Sequence, residues 1–355
     1  MALKKLAMIG CGGIGEYHLS HFGNFKDIVE LAGFCDLIPS RAEKFVKIAE
    51  SGKAFTCYIE MLDEIKPDML FICVPPTEHG DIEFAAIERN IPFFVEKPLA
   101  LNLELARSIR DAAAKKRLIT ASGFQCRYSN LMEPTKKFIS EHPIVFIDCS
   151  RIGGVPGVDW WRKRSTSGGQ AVEQTIHQFD IIRYLYGEPE TVFAMGTRGF
   201  INNGEWAGYD TEDASTTIVR YKSGIAGHIT TGCYALTGAA FDSKITFSSR
   251  DCRMDHRILT STDVYGVKPD ESEQVDTQVI KGDGNMARSS KEGTINYREE
   301  GDAGVKCDRT FIEAVISGDG SNIRSPYSDA IKSVAFTLAV NESMDTGMPV
   351  KVDFR

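Results

Sequence analysis

Gly10-Cys11-Gly12-Gly13-Ile14-Gly15 constrains the chain more than any other stretch. The apolar run Leu6-Ala7-Met8-Ile9 precedes it, and a helical pattern with Ile14, Tyr17, His18 and Phe22 on one side follows. Strand, Gly-x-Gly-x-x-Gly and helix in that order read as a dinucleotide-binding turn. Gly10 allows the sharp turn, Gly12 lets a pyrophosphate approach bare backbone, and Gly15 lets the helix pack on the strand. Free N–H groups at the helix start, with the positive end of its dipole, then face the phosphates. A second apolar run, Val29 to Cys35, ends in Asp36 about twenty residues after the last glycine, where a carboxylate accepts from ribose hydroxyls. The loop residues Gly10, Gly12, Gly13, Ile14 and Gly15, together with Asp36, are therefore candidate cofactor contacts. Asp36 repels a 2′-phosphate, which favours NAD over NADP; Arg41 nearby softens that preference.

At 355 residues the chain is natural for two domains. A net charge of −8 leaves no basic footprint for nucleic acid and disfavours anionic membrane surfaces. No apolar run reaches spanning length, and Met1–Lys5 is too short for a signal peptide. Nine cysteines lie scattered without CxxC pairing, several of them (Cys35, Cys73, Cys149) in apolar runs. They read as buried thiols of a reducing cytoplasm, with no disulfide and no zinc site.

Up to about residue 121 apolar strand-length runs alternate with amphipathic helices near Arg41–Glu50, Ile82–Glu88 and Leu103–Lys115, the last capped by Asn102. This predicts α/β architecture: a doubly wound parallel sheet over 1–121, with ligands beyond the carboxyl ends of its strands. That rule picks out Val74-Pro75-Pro76-Thr77-Glu78-His79, Glu96-Lys97-Pro98 and Gly123-Phe124-Gln125-Cys126-Arg127. From 122 to 355 the expectation is an α+β domain with a large, mainly antiparallel sheet. Its strands are read at Ile144–Arg151, Thr191–Met195, Ala214–Tyr221, Gly227–Tyr234 and Lys244–Ser248. Asp263 to Asp302 reads as a long hairpin excursion, and helices at Arg309–Ser317 and Ser328–Thr346 close the chain.

Two places carry candidate chemistry. Lys97 ends a parallel strand, where its ammonium can bind a substrate hydroxyl or donate a proton; a plain surface lysine is the alternative. One helix is expected over Gln170–Tyr186, with Glu173, His177, Asp180 and Tyr184 at spacings of four, three and four on one face. A polar stripe on a buried helix meets partners or a cavity, and His177 titrates near neutrality, which suits proton transfer. A satisfied structural network is the alternative. A metal held by Glu173 and His177 is disfavoured, because only one histidine is present there.

These residues are similar to the glucose-fructose oxidoreductase / inositol dehydrogenase family, Gfo/Idh/MocA. The resemblance spans nearly the whole chain. It rests on the glycine loop, Pro75-Pro76-Thr77-Glu78-His79, Glu96-Lys97-Pro98, and the Gly168-Gly169 helix carrying His177-Gln178-Phe179-Asp180. It implies an NAD(P)-dependent oxidoreductase that moves a hydride between nicotinamide and a carbinol carbon of a sugar, cyclitol or related polyol. It makes Lys97, His177 and Glu173 the catalytic set, with Glu173 where the family usually has aspartate. Val74, Pro75, Thr77, His79, Glu96, Lys97 and Gln125 join the cofactor contacts. Arg127, Trp161, Glu173 and His177 line the substrate, although Trp160 and Trp161 equally suit simple packing of a long loop. A homodimer or homotetramer follows from the same resemblance. An NAD-using glycosidase and a non-catalytic dinucleotide-binding regulator are the other activities the family contains.

Overall fold

The computed structural model describes residues 3–202, 204–267, 275–276 and 294–355. Its first sheet is built in the order β1 (Lys4–Ile9), α1 (Gly13–Phe22), β2 (Val29–Cys35), α2 (Pro39–Ala49), β3 (Lys53–Phe55), α3 (Tyr58–Ile65), β4 (Met69–Ile72), α4 (Asp81–Glu88), β5 (Phe93–Val95), α5 (Leu103–Lys115) and β6 (Thr120–Ser122). The six strands are all parallel in the order β3-β2-β1-β4-β5-β6. Strands covered on both faces by crossover helices need apolar side chains at every position. Leu6, Ala7 and Met8 on β1 and all four residues of β4 are accordingly fully buried. The order reverses between β1 and β4, which is where an open parallel sheet forms its ligand crevice. The Asn102 side chain accepts from the amides of Glu104 and Leu105 and starts α5 as expected. Two elements have no counterpart in the sequence reading. β3 is a three-residue edge strand with no apolar run, and α3 shows only Met61, Leu62 and Ile65 inward.

The chain continues through α6 (Met132–Glu141), β7 (Phe146–Ile152), α7 (Asp159–Arg162), α8 (Arg164–Ser167), α9 (Gln170–Glu173) and α10 (Ile176–Leu185). Then come β8 (Pro189–Thr197), β9 (Ala214–Tyr221), β10 (Ala226–Gly232), β11 (Asp242–Ser248), β12 (Arg253–Arg257), β13 (Ser261–Tyr265), β14 (Val275–Asp276), β15 (Thr294–Arg298), α11 (Ala303–Ser317), α12 (Tyr327–Thr346) and β16 (Val350–Lys351). These ten strands form one sheet, antiparallel except where β7 and β10 run parallel. Along β9 buried and exposed residues alternate, so one face packs and the other, carrying Ile218, is open. β13 and β15 pair antiparallel at the ends of the expected 263–302 excursion. Residues 268–274 and 277–293 of that stretch lie outside the described residues.

By its contacts the chain divides into two compact units: residues 1–128, 165–168 and 302–338, and residues 129–164, 169–301 and 339–355. The parallel sheet ends at Ser122, close to the boundary at 121 read from the sequence. The unit containing it also takes in 302–338, because α11 packs on α1 and on the turn Gln125–Tyr128. α11 begins six residues before the expected Arg309, since the Asp302 side chain caps it by accepting from the amides of Gly304 and Val305. Among the described residues no helix is long and apolar enough to cross a membrane.

Candidate active site

In the first unit the glycine loop divides its labour as its spacing implies. Gly10 has φ +92°, and a Cβ there would lie 2.2 Å from the Cys73 carbonyl oxygen. A Cβ on Gly15 would lie 2.3 Å from the Gly10 oxygen. The fold itself requires both glycines. Gly12 and Gly13 differ, because a Cβ on either would meet nothing within 4 Å among the described residues. That open backbone at the start of α1, beside donors with no intrahelical partner, is the cradle a pyrophosphate needs. Gly15, His18, Leu19 and Phe22 form the inward face of α1. Ile14, expected on that face, is 39% exposed, at the loop rather than in the core.

Asp36 stands at the end of β2 with its side chain 8% exposed. One oxygen accepts from the Cys11 amide at 2.9 Å, the other from the Ile38 amide at 2.9 Å. The acid is thereby tied to the glycine loop, and each oxygen keeps a lone pair for a ribose hydroxyl. Arg41 Nη1 lies 4.0 Å from it on a half-exposed side chain.

The strand-end residues fall into two groups. Val74, Pro75 and Lys97 are half-buried, and Thr77 is exposed. Gln125 is half-buried and accepts from the Tyr17 hydroxyl at 2.8 Å. The others face inward. His79 Nδ1 is 2.6 Å from Glu83 Oε1, and neither side chain is exposed. Glu96 Oε2 accepts from the Lys97 amide at 3.2 Å, and its Oε1 lies 3.0 Å from His18 Nε2. Arg127 is 1% exposed, and its Nη1 donates to the Arg324 carbonyl at 2.6 Å and to Asp329 at 2.7 Å. Its guanidinium holds the first turn of α12.

His18 is the residue the sequence reading missed. Its Nδ1 lies 2.9 Å from Asp308, which also accepts from His21 Nδ1 at 2.7 Å. A carboxylate faces each ring nitrogen of His18, so the ring is doubly protonated. Burial works against that charge, but Asp308 and Glu96 outweigh it and raise its pKa to about 10. His18, His21 and Asp308 could offer metal-ligand atoms within 4.8 Å of one another. Their hydrogen bonds to one another already account for these contacts. The sequence places His18 three residues after Gly15 on the packed face, but Asp308 is 290 residues away, beyond any local signal.

In the second unit the Gln170–Tyr186 segment is not one helix. α9 ends at Glu173 and α10 begins at Ile176. Between them the Thr175 amide bonds back five residues to the Gln170 carbonyl at 2.9 Å, a widened turn of the kind that recurs at functional sites. The Thr175 hydroxyl is held by Thr231 on β10. The even spacing from Glu173 to His177 therefore does not run along one helix. Glu173 is buried and His177 half-buried. Asp180 sits 3.8 Å from Arg183, and the Tyr184 hydroxyl accepts from Lys136 at 3.1 Å. The start of α9 needs Gly169 at φ +90°, where a Cβ would lie 3.0 Å from Glu212. Glu212 Oε1 caps this start by accepting from the Gln170 amide at 2.8 Å, and burial raises its pKa. The half-buried rings of Trp160 and Trp161 stack at 5.9 Å.

The model of an oxidoreductase family with an NAD-binding Rossmann fold matches residues 4–124, and that of the Gfo/Idh/MocA C-terminal domain matches residues 144–250. The chain belongs to the Gfo/Idh/MocA family. It is 25% identical over 355 residues to myo-inositol 2-dehydrogenase of Thermotoga maritima, covering 98% of each chain. It is 28% identical over 229 residues to the NAD-dependent scyllo-inositol 2-dehydrogenase of Bacillus subtilis, covering 63% of this chain and 66% of the relative. Among solved structures, a levoglucosan dehydrogenase in complex with NADH and levoglucosan superposes with a TM-score of 0.82 at 17% identity over 100% of both chains. At that identity the likeness speaks for the fold.

Opposite charge states of two buried histidines tie stability to pH. His256, buried on β12, bonds Thr135 and Thr262 through Nδ1, and burial lowers its pKa to about 4. Stability is therefore lost as pH falls from 6.5 towards 4, where only the unfolded chain takes up the proton. His18 acts in the other direction. Its contribution is complete below 6.5 and is lost as pH rises towards about 10. Denaturant titrations of His18→Gln should show a shallower loss of stability between pH 7 and 10 than the parent chain. Parallel curves would contradict the charge assigned to His18.

Proposed function

We propose that this chain is an NAD-dependent oxidoreductase that oxidises a carbinol carbon of a sugar, cyclitol or related polyol to a carbonyl, or runs the reverse. The observation that carries the reading is the bare Gly12–Gly13 cradle with Asp36 tied beside it at the β1/β4 reversal. NAD bound there supplies the acceptor for the hydride that leaves the carbinol carbon. Gly12, Gly13 and the free amides of α1 hold the pyrophosphate. Asp36 accepts from the ribose and disfavours a 2′-phosphate. His177 takes the hydroxyl proton onto its imidazole while Lys97 polarises the oxygen, and Glu173 binds a neighbouring hydroxyl. Names of relatives that act on inositols support a polyol substrate.

The test is NADH formation from NAD with a panel of sugars, inositols and aldonates. No NADH from any of them, or faster turnover with NADP, would overturn the reading. Association of copies through the open face of the ten-stranded sheet, and a cytoplasmic location in keeping with free and mostly buried cysteines, belong to the same reading. A single-chain mass in solution would count against the association.

A further inference from the structure

Among the described residues, Arg151 is a cation with no carboxylate paired to it. It lies on β7 with Ile147 and Cys149, whose side chains are buried on the packed face of the sheet. Directly across the ladder stand Thr231 on β10 and Ser243 on β11, so the three side chains share that face. Thr231 reaches Thr175, and Ser243 accepts from Gln178 Nε2 at 3.3 Å. The arginine thus stands between two rows that contact the residues on either side of Ile176-His177. Gln174, in the widened turn, accepts from the Cys233 thiol at 3.6 Å.

The residue is half-buried, and among the described residues its buried Nη1 has no hydrogen-bond partner. Among the described residues no carboxylate pairs with it. A buried, unpaired charge is costly, and a guanidinium stays charged at neutral pH. Gly153 makes room for it, since a Cβ there would fall 2.0 Å from Nη1. Ser243 beside it is exposed, so the face is open to solvent on that side.

We propose that Arg151 binds an anionic group, a carboxylate or a phosphate, on the substrate, so that this chain prefers a sugar acid or a sugar phosphate to a neutral polyol. The planar fork of a guanidinium matches either oxyanion through two parallel hydrogen bonds. This rests on polyol oxidation as the function, and adds the charge of the substrate to it.

Calorimetry on the NADH-loaded chain tests it with two matched pairs, gluconate against sorbitol and glucose 6-phosphate against glucose. At least one anion should bind about 10- to 100-fold more tightly than its neutral partner, the range of a charge-assisted bidentate contact. Which anion does so separates carboxylate from phosphate. In Arg151→Gln that ratio should collapse towards one while NADH still binds. Gly153→Ala, which keeps the charge and displaces the guanidinium, should also reduce it. Failure of both anions to bind, equal binding within both pairs, or an unchanged ratio in Arg151→Gln overturns the proposal. An anion that binds through Arg151 and is never oxidised contradicts the reaction and leaves the site standing. A neutral polyol oxidised with no preference for charge does the reverse.

Discussion

His177→Ala and Lys97→Ala should each lower turnover by roughly 100- to 10,000-fold, the usual cost of removing a proton-transfer group. Both proteins should remain folded and bind NADH. The packing around each residue argues for this separation. His177 is half-buried between Ile176 and Gln178, while the fully buried Ile176, Phe179, Ile181 and Ile182 anchor α10. Lys97 is half-buried, and its backbone amide donates to Glu96 Oε2 at 3.2 Å. Truncating either side chain leaves those contacts in place. A histidine with a purely structural task would lower the thermal midpoint instead, and turnover would follow the folded fraction. Near-normal turnover in His177→Ala would refute its role as the base.

Substitutions in the glycine loop should separate folding from cofactor binding. In Gly12→Ala the new methyl meets no atom of the described residues within 4 Å, so the chain without ligand should unfold at the same temperature as the parent. Its NAD affinity should fall by about 10- to 100-fold, since overfilling a tight site costs roughly 1–3 kcal/mol. Gly10→Ala and Gly15→Ala should behave differently. Their methyls would meet backbone oxygens at 2.2 and 2.3 Å, and Gly10 also sits at φ +92°. Backbone cannot give way as a flexible side chain does, so both variants should lose stability before any ligand is added. Unchanged NAD affinity in Gly12→Ala, measured by fluorescence titration, would remove the cradle from the account.

The first sheet was legible because its chemistry is local. Strands buried on both faces read as unbroken apolar runs, and Asn102 marks the start of α5 by its own side chain. The glycine loop and Asp36 stand within one β-α-β stretch. What the sequence hid depends on residues far apart in the chain. The break between α9 and α10 is held by Thr231 and the cap on α9 by Glu212, neither of them near Glu173 in sequence. His18 becomes a charged link only because Asp308 folds back onto α1. Arg127 followed a motif onto a strand end, but its partners Arg324 and Asp329 come from near the end of the chain. Arg151 had no motif to mark it.

Isotope transfer distinguishes hydride movement from a carbinol carbon to NAD from every other fate of that hydrogen. A polyol that yields NADH in the panel is prepared with deuterium on its carbinol carbon and turned over in ordinary water. Direct hydride transfer predicts deuterium in the recovered NADH and none exchanged to solvent, with slower turnover wherever the transfer limits the rate. Deuterium lost to water, or a polyol consumed without any gain of NADH, would contradict it.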